Sequence, residues 1–376
     1  MKKLILILTA TCLLLGCANE KTFKISGTIT DFGNPDEPKM LYLKTRTITE
    51  ELVIIDSTYL SKEGKFVLKG KSSETDLYFL ADQDNLFFVR LFVEPGKNST
   101  VIGNATDIQN IRITGSKTQA LYESFLSLLI PFQEKQESIR QEYYAYSQNL
   151  SLPEEDFKKI EEELIASFEQ MEEEIKNTTL DFISLHSKSI VGAYLVYRNT
   201  SALSSSTEIQ AQLQLLDPVM NNKFVTLVKE RIEKIKLTEI GAELPDIELP
   251  DADGNLISLS SLRGKYVLVD FWASWCGPCI REVPNLKKAY SQYHPKGFEI
   301  YSISLDNSRT AWLNSIEKHE LNWLHVSDLL AFESPFVKHF AVSYVPHTFL
   351  LDPNGVIIAV DLREEALENK LAELLN

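Results

Sequence analysis

Residues 21–115 alternate between apolar and polar positions, which is the pattern of β-strands that bury one face. The apolar or alternating runs are FKISGTIT, KMLYLKT, LVIIDSTYL, KFVLKG, LYFLAD and LFFVRLFV. Turn-forming stretches such as NPDEP, KEGK and EPGKN lie between them. Short strands at this close spacing predict an antiparallel β sandwich or barrel over residues 21–115.

In residues 116–238 the pattern changes, and apolar residues recur at helical spacing. Two stripes carry this prediction: Leu121, Phe125, Leu128 and Phe132, then Phe157, Ile160, Leu164, Phe168, Met171 and Ile175. Pro153 and Pro218 are predicted to mark helix starts, where a missing N–H costs nothing. We interpret this segment as a helical middle region with a core-forming stripe. Three aromatic residues offer a peptide-docking surface as an alternative: Tyr143, Tyr144 and Tyr146.

Residues 239–376 alternate between strand and helix patterns. A proline-containing linker leads into the apolar strand YVLVDFW, and a helix is predicted from Pro278 to about Tyr293. The strand FEIYSISLD, a helix around Thr310 to His319, the strands in VPHTFLLD and GVIIAV, and a final helix in REEALENKLAELL follow. This order predicts an α/β domain with a central sheet.

The first residues are typical of an export signal rather than of a folded segment. Two lysines precede an apolar run from Leu4 to Leu15, which is too short for a permanent transmembrane helix. The following Gly16 and Cys17 resemble the lipobox of bacterial lipoproteins. That resemblance implies a signal peptide over residues 1–17, lipidation of Cys17, and anchoring to a lipid bilayer on the periplasmic side of the cell envelope.

Charge and cysteine content narrow the choice of function. The net charge of −15 argues against a nucleic-acid partner, because binding of the phosphate backbone needs a basic surface. Of the four cysteines, Cys12 leaves with the signal and Cys17 carries lipid. Cys276 and Cys279, in FWASWCGPC, therefore form the one thiol pair of the mature chain.

The position of this pair indicates reactive chemistry. A strand that ends just before Cys276 and a helix that begins there place its sulfur against unpaired N–H groups, which stabilise a thiolate. Cys279 lies one turn later and is expected to be more buried. We therefore predict that Cys276 is the nucleophile, that Cys279 is the resolving thiol, and that the two form a redox disulfide.

The segment Glu243–Asn376 resembles the TlpA/ResA-like branch of thioredoxin-fold thiol-disulfide oxidoreductases. The resemblance lies in LPDIELPDADGNLISLSSLRGKYVLVDFWASWCGPCIREVPNLKKAY, in FEIYSISLD and in YVPHTFLLDPNGVI. It implies a thioredoxin fold at the C-terminus. The strand-rich N-terminus resembles the β-rich domain common in lipoproteins that carry such a C-terminal domain, and it is interpreted as a spacer or docking module.

The resemblance also implies roles for single residues. Asp270 matches the buried acid that assists deprotonation of the resolving cysteine, and Trp275 matches the indole that flanks the site. Pro346 matches the cis-proline loop, whose preceding backbone pairs with an extended client. Glu282 fits the C-x-x-C-x-x-E-x-P pattern of the branch, with an exposed helix residue as the alternative.

Two positions near these residues depart from thioredoxin or have no assigned role. The lysine that thioredoxin keeps near the buried acid is absent, and Ser302 lies at about the aligned position. His347 follows the proline loop and is expected to be a surface residue.

These features predict a membrane-anchored enzyme that reduces or exchanges disulfides in envelope proteins, with cytochrome c maturation as one setting. It would need a membrane thiol-electron donor, because no nicotinamide or flavin motif is present, and neither a cofactor nor a metal is expected. The alternatives are a binding or scaffold lipoprotein with a non-catalytic thioredoxin domain, and a thiol peroxidase. A zinc site is disfavoured because no histidine lies at ligand spacing to a second cluster.

Overall fold

The computed structural model describes residues 20–32, 37–147, 153–200, 203 and 205–376. The predicted signal segment and Cys17 lie outside the described residues. The chain divides into two compact units. The first comprises the described residues up to Leu195 together with Leu215–Lys223, and the second comprises Val196–Gln214 and Phe224–Asn376.

The strands of the first unit form a β sandwich. They are β1 Lys21–Thr30, β2 Met40–Arg46, β3 Leu52–Tyr59, β4 Lys65–Ser72, β5 Asp76–Ala81, β6 Phe88–Val93, β7 Asn98–Asn104 and β8 Asp107–Thr114. They pair into two four-stranded sheets, in the orders β4-β1-β7-β8 and β3-β2-β5-β6. Alternate residues of both sheets share one core, in which Ile25, Leu43, Leu68 and Leu91 are fully buried. The sandwich is therefore confirmed, and the described strands form no closed barrel.

One strand pairing differs from the antiparallel expectation, because β1 and β7 run parallel, with Gly27 opposite Val101. More than sixty residues separate these strands in the chain, so no tight turn constrains their direction. Gly27 permits the pairing, since a Cβ atom there would lie 1.7 Å from the carbonyl oxygen of Val101.

The helices of the middle region are α1 Lys117–Ser147, α2 Glu154–Leu185, α3 Ile190–Thr200, α4 Ser206–Leu213 and α5 Lys223–Lys236. In the first unit α1 packs along α2, and the rings of Phe125 and Phe182 lie 5.1 Å apart. Pro153 caps α2 as predicted. The prediction for Pro218 is wrong: a turn closed by the Met220 N–H and the Asp217 carbonyl contains this proline, and α5 begins only at Lys223.

The second unit contains a five-stranded sheet of order β13-β12-β11-β14-β15. Its strands and two short preceding ones are β9 Glu248–Pro250, β10 Leu256–Ser258, β11 Tyr266–Trp272, β12 Phe298–Ser304, β13 Leu324–Val326, β14 His347–Leu351 and β15 Ile357–Val360. The helices that alternate with these strands are α6 Gly277–Tyr293, α7 Arg309–His319, α8 Pro335–His339 and α9 Glu364–Leu375.

The central strands of this sheet run parallel and the last two antiparallel. The thioredoxin-like α/β fold is therefore confirmed. Strand β11 is buried on both faces, which explains its nearly continuous apolar sequence. It ends immediately before the cysteine pair.

Candidate active site

Cys276 and Cys279 are joined by a disulfide, with their Cα atoms 5.3 Å apart. Cys276 is the N-cap residue of α6, and the backbone N–H of Cys279 donates a hydrogen bond to the Cys276 sulfur at 3.1 Å. Pro278 occupies the first turn of the helix, as predicted. When the disulfide opens, the Cys276 sulfur therefore stays where a helix N-terminus favours negative charge.

The expected difference in burial between the two cysteines is wrong, because both are only 4% exposed. They differ instead in what surrounds them. A narrow cavity is lined by Cys279 and not by Cys276. Its polar lining consists of Asp270, Glu282, Ser302, Trp323, His325, Thr348 and Arg363.

Asp270, on β11, is the buried acid of this cavity and is 5% exposed. Its pKa is raised to about 6, mainly by burial and to a lesser extent by the charge of the nearby Glu282, while a hydrogen bond from Ser302 and the charge of Arg363 oppose the shift. The carboxyl thus titrates close to neutrality, in the range useful for proton transfer.

Ser302 takes the place of the missing lysine beside Asp270. The two residues are directly paired between β12 and β11, and the Ser302 hydroxyl donates to Asp270 Oδ2 at 2.8 Å. The same hydroxyl accepts a hydrogen bond from Trp323 Nε1 at 2.9 Å. A neutral network therefore tunes the acid where the sequence comparison with thioredoxin expects a cation.

Glu282 is buried, at 9% exposure, so its interpretation as an exposed helix residue is wrong. Its Oε1 accepts the backbone N–H of Glu364 at 2.8 Å, and its Oε2 accepts from Asn285 at 3.2 Å. The residue lies on the inward face of α6, and its position beside the start of α9 could not be deduced from the helix alone.

Trp275 and Pro346 lie at the site, as the resemblance implies. The Trp275 side chain is 58% exposed, and its ring lies 6.5 Å from that of Phe332. The Val345–Pro346 peptide bond is cis, and Pro346 lines the cavity together with Cys279. Residues nearly seventy positions apart in the chain thus line the same cavity.

Three residues near the site carry no signal in the sequence. Arg363 donates to the Pro346 carbonyl oxygen, with Nη2 at 2.5 Å. Burial lowers the pKa of His325 to about 3, so its ring is neutral. Asp361 contacts His347, with Oδ1 2.9 Å from Nδ1.

His347 is 8% exposed, so its prediction as a surface residue is wrong. It begins β14, and its ring packs against that of Phe349.

In the part of the chain that the structure describes, no group of three or more His, Cys, Asp or Glu side chains is arranged to hold a metal ion. None of the described helices has both the length and the apolar character needed to cross a membrane.

A thioredoxin-like sheet that carries a Cys276–Cys279 disulfide at a helix N-terminus defines a thioredoxin-fold dithiol protein. Residues 240–360 match the AhpC/TSA family, and residues 23–122 match a domain of unknown function, DUF4369. The thiol-disulfide oxidoreductase ResA of Bacillus cereus is 31% identical over 150 residues, covering 40% of this chain and 84% of that relative. The chain belongs to this family, the ResA-like thiol-disulfide oxidoreductases.

Two further proteins are similar to part of this chain. ResA of Bacillus subtilis is 32% identical over 120 residues, which are 32% of this chain and 65% of that relative. A solved thiol-disulfide oxidoreductase from Bacteroides fragilis is 37% identical and covers 36% of this chain and 100% of its own, with a TM-score of 0.34.

Proposed function

We propose that this enzyme is a membrane-anchored reductant of disulfides in envelope proteins. One observation carries the proposal: the Cys276–Cys279 disulfide lies at the N-terminus of α6, and Cys279 and Asp270 line the same cavity. The Cys276 sulfur can therefore act as the nucleophile, and the Cys279 thiol has Asp270 nearby as a proton acceptor. Pro346, which lines the same cavity, is proposed to contact the extended client beside its disulfide.

The reaction proceeds in two exchanges. In the reduced enzyme the Cys276 thiolate attacks one sulfur of the client disulfide, the client S–S bond breaks, and a client thiolate leaves. Asp270 then accepts the proton of Cys279. The resulting thiolate attacks the Cys276 sulfur, the mixed disulfide breaks, and the second client thiolate leaves. The client has gained two electrons, and the enzyme holds the Cys276–Cys279 disulfide until an external dithiol donor reduces it.

The direction of exchange follows from the residues between the cysteines. Gly277 and Pro278 form the dipeptide of thioredoxin, whose couple is reducing at about −270 mV, whereas the oxidant DsbA lies at about −120 mV. We expect the chain from residue 20 onward to have a potential below about −200 mV. Equilibration with glutathione or dithiothreitol buffers, read by tryptophan fluorescence, measures it. A value near that of DsbA would overturn the reductant assignment and leave the exchange chemistry intact.

Anchoring is proposed from the sequence around Cys17, with the strand-rich N-terminal domain acting as a spacer or docking module. A Cys17→Ser chain expressed in bacteria is expected to lose all incorporation of radiolabelled palmitate and to leave the membrane fraction. A Cys12→Ser chain is the matched control, since that residue lies within the signal and is expected to keep the label. Persistent labelling of Cys17→Ser would contradict the anchor.

The client is proposed to be a polypeptide with an accessible disulfide, with the cysteines of apocytochrome c as the candidate. The electron donor is proposed to be a membrane protein with its own thiol pair. Capture of the mixed disulfide on Cys276 identifies the client.

A further inference from the structure

Asp361 has an unusual backbone conformation for a residue other than glycine. It follows β15 and lies in the left-handed region, with φ at 54°. Glycine takes this conformation with less strain, but it lacks the partly buried carboxylate that Asp361 places here.

The Asp361 carboxylate joins both ends of the loop Tyr344–His347, which carries Pro346. Its Oδ2 accepts the Tyr344 hydroxyl at 2.6 Å. Its Oδ1 accepts the backbone N–H of Thr348 at 3.2 Å and lies 2.9 Å from Nδ1 of His347. Burial alone would raise the pKa of Asp361, but the hydrogen bonds from His347 and Tyr344 lower it to about 2, so the acceptor stays ionised.

The residues that follow Asp361 extend these contacts into the site. Arg363 donates to the carbonyl oxygen of Pro346 at 2.5 Å, and its Nη2 lies 3.6 Å from Asp361 Oδ1. The next backbone N–H, that of Glu364, is donated to Glu282. The segment Asp361–Glu364 therefore connects the proline loop to the cavity that Cys279 lines.

We propose that Asp361 is a positioning residue for client binding, which holds the Tyr344–His347 loop in place beside the cysteine pair. The proposal rests on the proposed function, because it assumes that this loop contacts the client. Asp361 touches none of the reacting atoms, so it acts through the loop. A client polypeptide that docks on the loop depends on its position, whereas a small disulfide needs only access to Cys276.

Asp361→Gly tests this, because it removes every side-chain contact and accepts the left-handed backbone. The KM for oxidised insulin is expected to rise about tenfold, with kcat and the rate of reaction with the small aromatic disulfide DTNB changed less than about twofold. Hydrogen exchange at the Thr348 amide should become faster. Asp361→Asn keeps one acceptor oxygen and tolerates the same backbone, so it should restore part of the affinity.

Glu320→Gly is the matched control. Glu320 also has a left-handed backbone, with φ at 49°, and it is exposed at the end of α7, where it makes a surface ion pair with Lys287. Its replacement should leave the insulin KM unchanged. If Asp361→Gly does not fold, Tyr344→Phe removes a single hydroxyl contact and should raise the KM in the same direction by a smaller factor.

An unchanged insulin KM in Asp361→Gly, or an equal loss toward insulin and DTNB, would overturn the positioning role. Failure of the proposed function gives a different result, since the unmodified chain would then not reduce insulin at all. An increase in KM confined to the protein substrate supports the proposal.

Discussion

Replacement of Cys276 by serine is expected to lower the rate of protein-disulfide reduction by at least ~10³-fold, because a serine hydroxyl is not ionised under conditions in which a thiol at this helix N-terminus is. The reason is structural: the Cys276 sulfur accepts a hydrogen bond from the Cys279 N–H at 3.1 Å, and Cys276 caps the N-terminus of α6. Insulin turbidity, or DTNB reduction after full reduction of the enzyme, measures the loss. Residual reduction close to that of the unmodified enzyme would refute Cys276 as the nucleophile, whereas an unmodified enzyme that reduces no disulfide would favour the non-catalytic scaffold alternative.

The companion variant, Cys279→Ala, separates attack from resolution. It keeps the nucleophile but cannot complete the second exchange, so the client should stay bound to Cys276. Non-reducing gel electrophoresis followed by mass spectrometry of envelope extracts identifies the captured protein. A double variant that lacks both cysteines is the control, since it should capture nothing. Capture by the double variant would show that the adducts do not form at this site.

Asp270→Asn is expected to stabilise the oxidised enzyme against unfolding above pH 6 and to lower the rate of the second exchange. The folded pKa, about 6, lies above the ordinary value of 3.8, so between these values the folded state binds more protons than the unfolded state. The stability contribution of Asp270 is therefore undiminished below about pH 4 and is lost as the pH rises through 6. The ionised buried carboxylate then costs about 3 kcal/mol, at about 1.4 kcal/mol per pKa unit.

Because the amide of asparagine must also find partners, we expect a net gain of about 1–3 kcal/mol at pH 7.5 and no gain below pH 4. All four tryptophans lie between residues 272 and 323, so urea unfolding followed by tryptophan fluorescence reports on the second unit. The rate of the second exchange should fall at least ~10-fold, and its pH profile should lose the inflection near 6. A retained inflection would assign it to another group.

Two neighbouring substitutions should move that inflection in opposite directions. Ser302→Ala removes a hydrogen bond that lowers the pKa of Asp270, so the inflection should rise above 6. Glu282→Gln removes a charge that raises it, so the inflection should fall. Ser304→Ala is the control, because Ser304 lies on the same strand but donates to Asp306. Shifts of the same sign in the first two variants would contradict this electrostatic account.

Much of the fold could be predicted because the relevant signals are local. Alternation over a few residues predicted the strands of the sandwich, and the stripe of α2 predicted its partly buried face, from Phe157 to Met171. The parallel pairing of β1 with β7 could not be predicted, since it depends on which distant strands meet. The turn at Pro218 shows the same limit, because a proline permits either a helix start or a turn.

The chemistry of the site is divided in the same way. The cysteine pair, the helix that begins at it and the resemblance that assigns Asp270 and Pro346 could all be read from the sequence, because they depend on residue identity and on neighbours within a turn. The burial of Glu282, the contact of Ser302 with Asp270 and the contacts of Asp361 with the proline loop became visible only in the folded chain. These interactions join residues between 14 and 82 positions apart, and hydrogen bonds over such distances exist only once strands and helices have packed.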